Sequence, residues 1–146
     1  TLETLNRRAA EIASDYAIHA ATDVTGFGLA GHALEMAKGA NLLIRLSLEA
    51  VPVLSGARAM YDRGMSTGSN ETNEALVQPH LTWRGAFGRT DQSLIFDPQT
   101  NGGLLFALDA DEAPGLVQAL LDGGVSSAAV VGSVLDRTGE DYLEIS

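Results

Sequence analysis

Ala20-Ala21-Thr22-Asp23-Val24-Thr25-Gly26-Phe27-Gly28-Leu29-Ala30-Gly31-His32 sets one carboxylate at the end of a short apolar run, directly before a glycine-punctuated helix start. Such a junction can hold a metal and a phosphate together. An acid supplies oxygen ligands for a hard cation, and glycines let backbone N–H groups come close to an anion. A second unusual stretch follows much later: Asp97-Pro98-Gln99-Thr100-Asn101-Gly102-Gly103-Leu104-Leu105. There Asp-Pro opens a turn, and the paired glycines permit an unusual backbone before an apolar run.

Elsewhere periodicity marks the elements. Leu2, Leu5, Ala9, Ile12 and Ala13 recur at helical spacing, which predicts an amphipathic helix over 2–15. Residues 17–21 form a short strand leading to Asp23, and Phe27, Ala30, Leu34 and Ala37 line the apolar side of a second helix stopped by Lys38-Gly39. Alternation over Leu42–Leu48 gives a strand with one buried face. Val53, Leu54, Ala57, Met60 and Tyr61 describe a third helix ending at Arg63-Gly64. Residues 65–74 are polar and read as a surface loop with Asn70 and Asn73 as turn formers, followed by a short helix over 74–78 and an irregular stretch around Trp83.

Leu94-Ile95-Phe96 and Leu104–Leu108 fit buried strands flanking the second stretch. Asp111 is placed to cap a helix with Pro114 in its first turn, with Leu116, Val117, Leu120 and Leu121 facing the core and Gly123-Gly124 ending it. Ala128–Leu135 and Tyr142–Ile145 then form a closing strand pair around Thr138-Gly139. With no repeat, linker or low-complexity tract, one α+β domain spanning residues 1–146 accommodates every element.

The bulk numbers narrow the function. A length of 146 residues suffices for a real core, and the hydrophobic fraction of 45% suits a soluble α/β or α+β protein. A net charge of −10, with nine scattered basic residues, argues against a nucleic-acid partner, because phosphate neutralisation needs clustered Lys and Arg. No apolar run is long enough to cross a membrane and nothing at the start reads as a signal peptide, so a cytoplasmic location is expected. The absence of cysteine excludes disulfides, thiolate metal sites and a cysteine nucleophile within the chain. The chain opens on Thr1 and enters a helix-like pattern almost at once, as an excised domain does.

Together the two stretches resemble the C-terminal half of the selenophosphate synthetase family. Its members carry ATDVTGFGL-GH-LEMA and, later, DPQT-S-GGLL; here the text is ATDVTGFGLAGHALEMA and DPQTNGGLL, with Asn101 where the family usually has Ser. The resemblance runs from about Asn6 to the C-terminus. It implies a three-layer α/β/α arrangement around a mixed sheet, partly ferredoxin-like, as in the C-terminal domain of the aminoimidazole ribonucleotide synthetase superfamily. For an intact enzyme it implies ATP-dependent phosphorylation of selenide, with water, to selenophosphate, AMP and phosphate.

The same resemblance implies magnesium and ATP as cofactors, ATP being bound mainly by an N-terminal half, and a homodimer formed largely through that half. The reactive Cys or selenocysteine of the family, with its neighbouring Lys, lies in a segment absent here. This chain is therefore expected to hold no catalytic nucleophile and to be inactive alone. Two alternatives remain: another ATP-using superfamily member, such as a thiamine-phosphate kinase, hydrogenase-maturation or purine-synthesis enzyme, and a non-catalytic binding domain.

Among single residues, Asp23 is the expected magnesium ligand by resemblance, and by spacing it equally suits a helix cap. Thr22, Thr25, Gly26 and Gly28 are candidate cofactor contacts, set against capping for the threonines and tight turns or helix–sheet packing for the glycines. Gln99, Thr100, Asn101 and Gly102 are expected to support the site rather than bind ligand. His32 reads as a packed structural histidine, and His19 and His80 have no partners at metal-ligand spacing.

Overall fold

Helix α1 (Arg7–Ala13) leads into β1 (Ala20–Asp23), and α2 (Gly28–Ala40) into β2 (Leu43–Leu46). Then come α3 (Ala57–Asp62), α4 (Asn70–Val77), a single 3-10 turn over Gln78–His80, and β3 (Leu81–Trp83). The chain closes with α5 (Arg89–Leu94), β4 (Leu104–Ala107), α6 (Ala113–Asp122), β5 (Gly132–Leu135) and β6 (Leu143–Ile145). This computed structural model describes residues 6–146, so the expected helical turn at Leu2 and Leu5 lies outside the described residues.

The strands form a two-stranded antiparallel ribbon, β1–β4, and a four-stranded mixed sheet in the order β3-β6-β2-β5. Strand β6 runs parallel to both neighbours, while β5 is antiparallel to β2. The α+β class with a mixed sheet is therefore as expected. The closing strand pair is not: β5 and β6 flank β2 on opposite sides instead of pairing with each other. Gly132, opposite Leu46, explains part of this, since an added Cβ there would collide with the Arg45 carbonyl. Only a glycine lets β5 come that close to β2.

Two apolar clusters organise the packing. In the larger, Ala30, Ala33, Leu34 and Ala37 of α2 lie on Ile44 and Leu46 of β2 and Leu143 and Ile145 of β6, with Ile95 and Phe96 fully buried beside them. Small alanines let the helix sit close to the sheet, and each large side chain sequestered there contributes about 1.5–3 kcal/mol. In the smaller, Ala9 and Ala13 of α1 meet Leu116 and Leu120 of α6 over Leu104 and Phe106 of the ribbon. Leu121, expected to face the core, is 40% exposed.

Several boundaries move. α2 runs through Gly39 and ends where Asn41 adopts a left-handed φ of 55°, its N–H bonding the Ala37 and Lys38 carbonyls. α3 begins only at Ala57, and none of its residues is buried, so Val53 and Leu54 do not belong to it. α6 has Glu112, not Asp111, at its cap position, though Pro114 does occupy the first turn. Within the expected loop 65–74, α4 starts already at Asn70, and the irregular stretch contains β3. Leu94-Ile95-Phe96 is no strand. Leu94 closes α5, and the next two residues turn inward, where the Ile95 carbonyl accepts the N–H of Ala30 in the first turn of α2.

On the sheet, Glu144 is buried between two guanidiniums, accepting from Arg45 Nε at 2.8 Å and from Arg84. The Arg84 hydrogen bond, reinforced by Arg45, holds Glu144 below the usual carboxylate range. Among the described residues no helix is long and apolar enough to cross a membrane.

Candidate functional site

Backbone pairing brings the two motif stretches together. Asp23 sits opposite Leu104, and Thr22 opposite Leu105, in the β1–β4 ribbon. Beyond the ladder the Val24 N–H donates to the Gly103 carbonyl at 2.9 Å, and the Gln99 N–H to the Thr25 carbonyl at 3.0 Å. The two loops are thus zipped along their length. At Gly102 an added Cβ would run into the Val24 carbonyl, so contact this close requires glycine. The Asn6 side chain donates to the Gly102 carbonyl at 2.9 Å, fixing the start of α1 to the same loop.

Gly28 has its own constraint. Its φ is +70°, and an added Cβ would lie 2.7 Å from the Phe96 carbonyl carbon. Its N–H donates to the Thr25 carbonyl at 3.0 Å. Gly28 thus allows α2 to start in close contact with the Phe96 backbone. Gly26 is exposed, with open space where a Cβ would be. Thr22 is half-buried and its hydroxyl donates to the Asp23 carbonyl at 3.1 Å.

The clamp over both loops is α4. Asn73, buried, donates through Nδ2 to the Gly26 carbonyl at 2.8 Å and to the Phe96 carbonyl at 2.9 Å. One turn earlier the buried Asn70 donates to the Ser93 carbonyl at 2.8 Å and to the Tyr61 hydroxyl at 3.0 Å. Tyr61 in turn donates to Asp97 Oδ1 at 2.5 Å, and Gln99 Nε2 donates to Asp97 Oδ2 at 3.0 Å. Burial, then the Asp97 acceptor, pushes the Tyr61 hydroxyl up to about 12. Sequence reasoning missed Tyr61, Asn70, Asn73 and Asp97. The available signal was Asn70 and Asn73 at helical spacing, which puts both amides on one helix face.

Asp23 stands apart from this mesh. Its side chain is exposed at the end of β1 and has no hydrogen-bond or ion-pair partner among the described residues. Thr100 is exposed, while Gln99, Asn101 and Gly102 are half-buried. Among the described residues no group of three His, Cys, Asp or Glu is gathered that could hold a metal. A magnesium ion needs no such group, because it keeps several waters and takes one or two carboxylates plus phosphate oxygens. An unengaged, exposed carboxylate fits one of those positions.

A cavity of about 440 Å³ between α3 and α5, lined by Arg58, Asp62, Arg89, Thr90 and Asp91, contains none of the motif residues. Its charged walls are already committed, Arg58 to Asp91 and Arg89 to Glu74. The zipped loops remain the better candidate.

Comparison with known proteins gives the chain's family. The family model described as AIR synthase related protein, C-terminal domain, matches residues 1–143, and the chain belongs to that family. Proteins named selenide, water dikinase are similar to it. The one from Pseudomonas straminea is 40% identical over 128 residues, covering 88% of this chain and 36% of that protein. The one from Burkholderia ambifaria is 39% identical over 136 residues, covering 93% and 38%. Selenide, water dikinase 2 of Peptoclostridium acidaminophilum is 31% identical over 141 residues, covering 97% and 40%. The chain thus spans well under half the length of each.

Proposed function

We propose that this chain is the C-terminal domain of a selenide, water dikinase, and that Asp23 supplies one magnesium ligand to a site completed by an N-terminal half. The intact enzyme would phosphorylate selenide with ATP and water, giving selenophosphate, AMP and phosphate, in the cytoplasm and as a homodimer. The observation that carries the reading is Asp23 itself: an exposed carboxylate with no partner among the described residues, at the joint of the two braced motif loops.

Magnesium bound there would neutralise polyphosphate charge during transfer. This chain's own residues hold the carboxylate in place. The β1–β4 ladder fixes its backbone, Gly28 and Gly102 allow the loops to touch, and Asn73 pins the Gly26 carbonyl. Thr22, Thr25 and Gly26, close to Asp23 in sequence, are the candidate cofactor contacts. Gln99, Thr100, Asn101 and Gly102 form the supporting loop. The nucleophile and most nucleotide contacts belong to the N-terminal half.

Asp23→Asn in the intact protein tests this. The expected result is a turnover loss of roughly 10²-fold or more, typical of removing a charge-stabilising group, with an unchanged melting curve because the side chain is exposed. Wild-type turnover in that variant would remove Asp23 from the site.

A further inference from the structure

We propose that His32 is a positioning residue: with Glu35 it fixes the direction of the Thr25 hydroxyl, making that oxygen a hydrogen-bond acceptor two residues from Asp23. His32 Nδ1 lies 2.9 Å from Glu35 Oε2, and His32 Nε2 lies 3.0 Å from Thr25 Oγ1. A carboxylate only accepts, so the ring proton must sit on Nδ1 to bridge to Glu35. In the neutral ring Nε2 is then an acceptor, and the Thr25 O–H donates to it. The hydroxyl proton is committed inward, and the remaining lone pairs of Oγ1 can only accept.

Burial makes this assignment consequential. The His32 side chain is 9% exposed while that of Glu35 is 60% exposed, so the carboxylate keeps its hydration and the ring sits in a dry setting. Besides Thr25 and Glu35, the ring faces Phe27, whose centroid is 5.6 Å away. No other charged group bonds to it among the described residues. The Thr25 backbone is equally fixed, its carbonyl accepting from both Gly28 and Gln99. The hydroxyl rotor is the one freedom left at Thr25, and the relay removes it.

The ligand suited to such an oxygen is a strong donor, and water on a divalent cation is one, because the ion's charge polarises it. This part of the inference rests on the magnesium reading of Asp23; the direction of the relay does not.

Long-range proton–nitrogen correlation spectra of the intact, histidine-labelled protein, with His32 assigned through His32→Gln, report the tautomer directly. The expected pattern is a protonated Nδ1 and a bare Nε2, disturbed in Glu35→Gln, whose exposed side chain leaves the fold intact. In calorimetric titrations Thr25→Val should weaken magnesium binding about tenfold, the scale of a lost outer-sphere partner, and Thr25→Ser should restore it. A proton on Nε2 overturns the relay whatever Asp23 does. Wild-type magnesium affinity in Thr25→Val, with Asp23→Asn impaired, overturns the acceptor role and leaves the Asp23 reading standing. Wild-type affinity in both variants overturns both.

Discussion

Asp23 and Asp97 each belong to one of the two motif stretches, and the fold treats them oppositely. Both oxygens of Asp97 are engaged, one by Tyr61 and one by Gln99, and the turn it anchors is bonded to α2 and α4. Asp23 is exposed and has no partner among the described residues. A carboxylate already satisfied by neutral donors has little left for a cation, whereas an unengaged one on a rigid strand end keeps its full coordinating capacity. Of two acids in equally unusual sequence, local hydrogen bonding makes Asp97 a brace and leaves Asp23 open for the proposed ligand role.

The sharpest test pairs Asp23→Asn with Asp97→Asn. The first should abolish most turnover without touching stability. If Asp97→Asn caused the larger turnover loss in an equally stable protein, the division between the two acids would be wrong. Next in size, Asn73→Ala leaves the buried Phe96 carbonyl without its donor and frees the Gly26 carbonyl, and should cost roughly 2–3 kcal/mol of unfolding free energy in urea titrations. A loss no greater than that of an ordinary surface substitution would mean the clamp is not holding the loops.

Tyr61→Phe should cost less, about 1–2 kcal/mol, since one oxygen of Asp97 and the amide of Asn70 each lose a partner. It carries a pH signature as well. A hydroxyl raised to about 12 in the folded state, against the ordinary value of 10.0, favours the folded protein fully below pH 10. That contribution is lost as pH rises through the folded value. Urea midpoints of wild type should therefore fall more steeply between pH 10 and 12 than those of Tyr61→Phe, and parallel curves would contradict the bond to Asp97. The smallest effect is that of Asp97→Asn itself, about 1 kcal/mol, because an amide oxygen still accepts from Tyr61 and Gln99 can turn its own amide around.

Much of this was legible in the chain. The carboxylate-then-glycine junction placed Asp23 at a strand end before α2, alternation located β2, and Pro114 marked the first turn of α6. What was hidden has identifiable causes. Ile95 and Phe96 look like a buried strand because a short apolar run carries no period of its own; they are buried by filling the space at the start of α2. Asn70 and Asn73 look like turn formers because asparagine usually bonds its own backbone; here they serve distant carbonyls instead. Periodicity marked β5 and β6 as strands but is silent on which strand each joins. In the second stretch Gln99, Thr100 and Asn101 carry the conspicuous polar side chains, yet Asp97 anchors the hydrogen bonds, because the fold brings Tyr61 across from α3.

Because a single amide of Asn73 spans Gly26 and Phe96, thermal breathing of α4 cannot free one loop and spare its neighbour. The bonded amide hydrogens of Gly28, Asp97 and Gln99 should therefore exchange with solvent together, at a common opening free energy.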